Sequence, residues 1–235
     1  LETVRQILHN HLPRQLRARS RHLTASERKA VMLPGLAAAV AANLVRRSSL
    51  KYFFTRTLFY DSRTPPPFFQ MNTFPTDRVP LSPENLKPAI LGSGAIPWVM
   101  TGARDIPGAP KGVFRDGGVM DYHLDIPYNV TDGIVLFPHY TDRVVPGWLD
   151  KHLPYRKPDK TRMANVLLVC PSREFIASLP NAKIPDRNDF KIYFNRDEDR
   201  FACWRAVADR SRELADQFCE DVASGKIKER VQPLG

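Results

Sequence analysis

GSGAIPWVMTGARDIPGAPKGVFRDGGVMDYHLDIPY, residues 92–128, carries the densest chemistry in this sequence. Within it, Gly112-Val113-Phe114-Arg115 reads as a short strand, and Asp116 follows directly, ahead of Gly117 and Gly118. Glycine has no Cβ and reaches positive φ at little cost. The pair is therefore expected to close a tight turn that holds Asp116 at a fixed point above a sheet edge. Upstream, Gly92-Ser93-Gly94-Ala95-Ile96-Pro97 is a run of small residues closed by proline. Such a run suits a helix end that must pass close to another backbone.

Working outward, Ser82-Pro83-Glu84 supplies a capping residue, a first-position proline and an early acid for a helix reaching about Gly92. Strands are expected at 112–115, 133–138 (GIVLFP) and 165–170 (NVLLVC). The last two are continuous apolar runs, as in a sheet covered on both faces. Residues 61–80 read as a loop rich in Pro and Phe. Toward the N-terminus, residues 1–12 place Val4, Leu8 and Leu12 on one helical stripe that Pro13 ends. Pro34 to Arg47 suits a helix, with proline early, alanine in its body and basic residues in its last turn. Leu50 to Tyr60, LKYFFTRTLFY, is either core beside that helix or an interfacial element with Lys51 and Arg56 meeting head groups. Toward the C-terminus, Arg196 to Ser224 suits a long helix. Phe201, Trp204, Ala208, Leu214, Phe218 and Val222 recur at three- to four-residue steps, and Gly225 follows as a stop. The fold class is α/β, divided as a basic helical segment (1–60), an α/β region (61–195) and a long helix packed on it (196–235).

The net charge of +10 is concentrated: residues 1–60 hold eleven Lys/Arg against two carboxylates, and the rest holds 24 against 23. That asymmetry points to an anionic surface as partner of residues 1–60, or to a solvated basic helix facing acidic protein. Nucleic acid is disfavoured, because no helix-turn-helix, zinc-finger or RNA-recognition signature is present. Cys170, Cys203 and Cys219 form no paired framework, and the latter two fall on one expected helix, too far apart to bridge. A reducing compartment is the default, which favours a cytoplasmic or peripheral membrane location.

The Ser-Gly-Ala-Ile-Pro stretch followed by Asp-Gly-Gly resembles the second half of the patatin-like acyl hydrolases. The match is dense between about Pro80 and Tyr128 and weaker to about Phe190. The resemblance implies a three-layer α/β/α domain that hydrolyses carboxylic esters of lipids, such as phospholipids, through a Ser-Asp dyad. Asp116 is then the dyad base, Gly117 and Gly118 shape its turn, and no cofactor or metal is needed. The family nucleophile sits in a Gly-x-Ser-x-Gly elbow, and no serine here has glycine at both −2 and +2. By the family order that serine, its Gly-rich oxyanion loop and several sheet strands belong before Leu1. The chain by itself is then expected to be inactive, as the C-terminal part of a larger hydrolase.

Other residues invite competing readings. Ser93, flanked by Gly92 and Gly94, is a local nucleophile candidate, although the resemblance puts the nucleophile elsewhere. Asp121, His123 and Asp125 alternate, so on a strand they would share a face and suit a metal. The simpler reading is a hydrogen-bonded cluster that orders the loop after Asp116. The alternative to a hydrolase is a non-catalytic basic module for a membrane surface or a partner.

Overall fold

The structure, a computed structural model, describes residues 1–6, 25–97 and 99–234, with only the backbone of 25–33. It is mixed α/β: a five-stranded mixed sheet, a two-stranded sheet and several helices. One compact unit comprises residues 1–135 and 144–165; the other comprises 136–143 and 166–235.

In the first unit the sheet contains β1 (Glu2–Gln6), β2 (Phe54–Tyr60), β3 (Thr76–Pro80), β4 (Ala103–Arg104) and β5 (Val113–Asp116). Their spatial order is β3-β2-β1-β5-β4. Only β2 and β3 run parallel; β1 lies antiparallel to β2 on one side and to β5 on the other. The helix expected over residues 1–12 is thus a strand at Glu2–Gln6, and its remainder lies outside the described residues, as do the arginines of 14–21. The reason is tertiary. Val4 sits opposite both Arg56 and Arg115, so neighbours on both sides satisfy its backbone and override a short helical stripe. The first sixty residues supply two strands of the sheet, and the end of the expected 61–80 loop supplies a third.

Alternation along these strands separates two buried faces. Val4 and Phe54 pack with Leu36 and Ala39 of α1 (Ala25–Val45). Phe59, Val79 and Phe114 pack on the opposite face with Ala89 of α2 (Pro83–Ser93). The aromatic run before Tyr60 is therefore core: every residue of β2 from Phe54 to Phe59 is buried. Helix α1 begins at Ala25, so Pro34 lies inside it, and the expected basic last turn falls beyond Val45. Helix α2 follows its sequence signal closely. Ser82 Oγ accepts from the Asn85 N–H and Asn85 Oδ1 accepts from the Ser82 N–H, a reciprocal cap.

A short helix α3 (Gly118–Asp121) follows β5. Among the described residues the strands β6 (Val135–Pro138) and β7 (Val166–Val169) pair only with each other, in parallel, with Val135 N–H on Asn165 O and His139 N–H on Val169 O. They are not covered on both faces as their apolar runs suggest; no residue of either strand is buried.

The second unit contains α4 (Arg173–Ser178), α5 (Asp189–Ile192), α6 (Asp197–Ser224) and α7 (Ile227–Arg230). Gly225 ends α6 in the left-handed conformation at φ 76°, as its position in the sequence suggests. Trp204, Leu214 and Phe218 lie on the packed side of α6, but Phe201, Ala208 and Val222 are exposed. Buried Arg200 takes part of their place, its guanidinium stacked 4.3 Å from the Phe190 ring centroid. Cys203 and Cys219 both lie on α6 with free thiols.

Two glycines of the first unit differ in what a methyl group would meet. At Gly102 a Cβ would lie 2.7 Å from the Phe114 carbonyl oxygen, whereas at Gly94 the nearest atom is 3.9 Å away. Gly102→Ala is expected to lower unfolding free energy by about 1–3 kcal/mol through the forced shift of β4 from β5. Gly94→Ala should stay within about 0.5 kcal/mol of wild type, and urea denaturation of the two variants checks the contrast.

Candidate functional site

Asp116 is the last residue of β5 and stands opposite Thr3 of β1. Its backbone N–H donates to the Ala95 carbonyl at 3.2 Å. That bond joins the two sequence features directly, laying the small-residue stretch against the Asp-Gly-Gly turn. Within the stretch α2 runs close over the sheet at Gly92, where a Cβ would touch Ala103, Phe114 and Thr3 at 3.4 Å, an ordinary van der Waals distance. The Asp116 side chain is half-buried, and its Oδ1 accepts from the Gly118 N–H at 2.8 Å. One carboxylate oxygen is thereby fixed on a backbone amide, which orients the group.

The two glycines do a different job from the one their type suggests. Gly117 has φ −59° and Gly118 begins α3, so neither uses positive φ. What they supply is room. A Cβ on Gly117 would lie 3.0 Å from the Glu2 carbonyl oxygen, and one on Gly118 would lie 3.1 Å from Asp116 Oδ1. The turn is tight because β1 presses on it, which a single sequence window cannot register.

Beneath the turn is a buried charge cluster absent from the sequence reading. The Arg56 guanidinium is 1% exposed and binds both oxygens of Asp121, at 2.7–2.9 Å. It also reaches Glu2 Oε1 at 3.3 Å and Thr76 Oγ1 at 3.3 Å. Burial pushes the Glu2 carboxyl well above the usual carboxylate range. The neighbouring Asp121 charge and a hydrogen bond between the two carboxyls push the same way, against Arg56. The signal was present in the sequence: with Phe54 and Leu58 facing inward, alternation places Arg56 on the same buried side of β2.

Asp121, His123 and Asp125 do not share a strand face. Asp121 closes α3 and the other two follow in a loop, all three buried. Each has its own task. Asp121 pairs with Arg56; His123 Nδ1 accepts from the Val145 N–H at 2.9 Å; Asp125 pairs with Arg162 at 2.8 Å. They order the loop after Asp116 by separate contacts. Among the described residues no group of three or more His, Cys, Asp or Glu is arranged to hold a metal ion. Ser93 is the last residue of α2, at a helix end rather than on a strand-to-helix elbow. Among the described residues no serine or threonine hydroxyl is hydrogen-bonded to Asp116.

Of the five cations of residues 1–60 whose side chains are described, three are engaged in ion pairs, while Arg46 and Lys51 are exposed. Arg5 pairs with Asp77, Arg47 with Asp150 and Arg56 with Asp121, all at 2.7–3.1 Å. Among the described residues no helix is long and apolar enough to cross a membrane. Comparison with family models, curated proteins and solved structures gives no match to this chain.

Glu2 binds its proton more tightly in the folded chain than in the unfolded one. Its stabilising contribution is full below the ordinary carboxylate range and is lost as pH rises through its elevated value. Glu2→Gln mimics the protonated form. It is expected to raise Tm relative to wild type at about pH 8 and to leave it nearly unchanged at about pH 4. A difference in Tm that is the same at both pH values contradicts this reading.

Proposed function

We propose that this chain is the aspartate-bearing part of a patatin-like serine acyl hydrolase, with a three-layer α/β/α arrangement, acting on carboxylic esters of lipids. The observation that carries the reading is the bond from Asp116 N–H to Ala95 O, which brings the Ser-Gly-Ala-Ile-Pro stretch against the Asp-Gly-Gly turn. Helices on opposite faces of the sheet support the layered arrangement.

In this reading a serine supplied by sequence before Leu1 attacks the ester carbonyl. Asp116 takes its proton and later activates the water that hydrolyses the acyl-enzyme. Backbone amides stabilise the oxyanion in both steps. The anchored Oδ1 keeps the carboxylate from rotating as the proton moves. No cofactor enters this chemistry, and the protein works in the cytoplasm or at a membrane surface. The alternative is a basic, non-catalytic module on residues 1–60, of whose eleven cations Arg5, Arg47 and Arg56 are spent on internal ion pairs.

The test is hydrolysis of a chromogenic short-chain ester by the longer polypeptide and by this chain, each with Asp116→Asn. Asparagine keeps an oxygen for the Gly118 amide and removes only the base. The longer polypeptide is expected to turn over, to lose about 10²–10⁴-fold in kcat on substitution, and to keep its Tm. This chain alone is expected to be silent. Hydrolysis by this chain alone would place the nucleophile within these residues, with Ser93 the first candidate, and refute the dyad arrangement.

A further inference from the structure

A cleft of about 460 Å³ opens beside β3, within the size range of small-molecule sites. It lies on the sheet face that carries Arg56. Alternation along β3 puts Thr76 and Arg78 on that side and Asp77 on the other. The loop leading into β3 shapes one wall. Met71 packs with Leu58 and Ile126, and Phe74 packs with Val4 and Phe54. These two buried anchors hold Asn72 and Thr73 between them, exposed along the cleft. Lys51, from the short helical turn Arg47–Tyr52, joins the lining.

Two cations of this cleft have no carboxylate. The Arg78 guanidinium is held by backbone carbonyls alone: Nε donates to Phe69 O at 2.7 Å, Nη2 to Met71 O at 2.9 Å and Nη1 to Thr76 O at 3.3 Å. The Phe69 ring lies 5.3 Å from it. These dipoles fix the group's orientation without cancelling its charge, and they leave N–H groups to spare. Lys51 Nζ stands 5.1 Å from the Tyr52 ring and, like Arg78, enters no ion pair among the described residues. The surrounding carboxylates are committed elsewhere: Asp61 to Arg63, Asp77 to Arg5, Asp125 to Arg162, and Glu2 and Asp121 to Arg56. Glu84 belongs to α2, which packs on the opposite face of the sheet.

We propose that this cleft binds a dianionic phosphoryl group, the form a phosphomonoester carries near neutral pH. Two unmatched positive charges fit two negative ones. A carboxylate or a phosphodiester brings only one and leaves a cation unmatched. Arg78 supplies a pre-oriented guanidinium, Lys51 a point charge on a flexible stem, and Asn72 and Thr73 neutral donors. The site stands apart from the acyl-hydrolase reading, since no step of ester hydrolysis passes through it.

The test is isothermal titration of this chain with inorganic phosphate, with glycerol phosphate and, as a monoanionic control, with dimethyl phosphate, all at one ionic strength. Phosphate and glycerol phosphate are expected to bind saturably, and dimethyl phosphate roughly tenfold more weakly. Affinity for phosphate should rise between about pH 5.5 and about pH 7.5, as the second proton leaves it. Lys51→Gln, at an exposed position, is expected to weaken phosphate binding roughly tenfold and to leave the Tm of the unliganded chain unchanged. It carries the decision, because Arg78→Gln also removes three bonds to the backbone. Lys87→Gln, which removes an exposed lysine of α2, should bind like wild type. Vesicles containing phosphatidic acid separate two sources of the group. Capture that soluble phosphate competes away assigns a lipid head group, and absence of capture assigns a free phosphomonoester. Three results overturn the proposal: no saturable binding of phosphate by wild type; dimethyl phosphate bound as tightly as phosphate; or phosphate binding that Lys51→Gln leaves unchanged.

Discussion

A guanidinium 1% exposed inside a sheet is a severe electrostatic constraint, and Arg56 makes the rest of the first unit answer to it. Its charge must be matched where it lies. Asp121 does so with both oxygens, Thr76 takes a further donor, and the Phe74 ring lies 5.5 Å away. Each partner belongs to a different part of the chain. Satisfying Arg56 therefore fixes α3 relative to β2 and brings β3 into line. Since α3 starts one residue after Gly117, the same contact sets where the Asp116 turn sits. Glu2 adds the third side of the constraint. Two carboxylates beside one guanidinium leave one negative charge too many, and burial together with the Asp121 charge raises the affinity of Glu2 for a proton.

Long-range ion pairing recurs through this unit. Asp150 is fully buried, 2.8 Å from Asn43 Nδ2 and 3.1 Å from Arg47 Nε. That contact ties the end of α1 to the turn at Trp148–Asp150. Arg47 also donates to the carbonyl oxygens of Met120 and Pro146. The lopsided charge of the sequence is therefore partly a folding device: basic residues early in the chain are neutralised by acidic residues that follow much later. Removing either member of such a pair strands a buried charge.

Local signals survived into the structure where the structure is local. The Ser82 cap, the proline after it and the Gly225 stop each depend on a few neighbouring residues, and each appears as the sequence suggests. The strand before Asp116 did so too. What the sequence could not convey was imposed from a distance. Residues 2–6 are a strand because β2 and β5 flank them, and Gly117 is glycine because the Glu2 carbonyl presses on it. The apolar runs at β6 and β7 look like buried strands, yet among the described residues they have only each other to pair with. At the site, Asp116 and its neighbouring turn were legible from residue type and order. The burial of Arg56 was legible in the alternation of β2, but its pairing with Asp121 and Glu2 was not, because a buried ion pair spans residues that no single window contains.

A double-mutant cycle on Arg56 and Asp121 tests the central claim most directly. Urea denaturation of Arg56→Met, Asp121→Asn and the double variant isolates the energy the two side chains share. Each single substitution is expected to cost about 3–5 kcal/mol, because the partner is left buried and unmatched. The double variant should cost less than the sum of the singles by about 2–3 kcal/mol. Additivity within about 0.5 kcal/mol would contradict the account, since Asp121 and the turn above it would then be held by something other than Arg56.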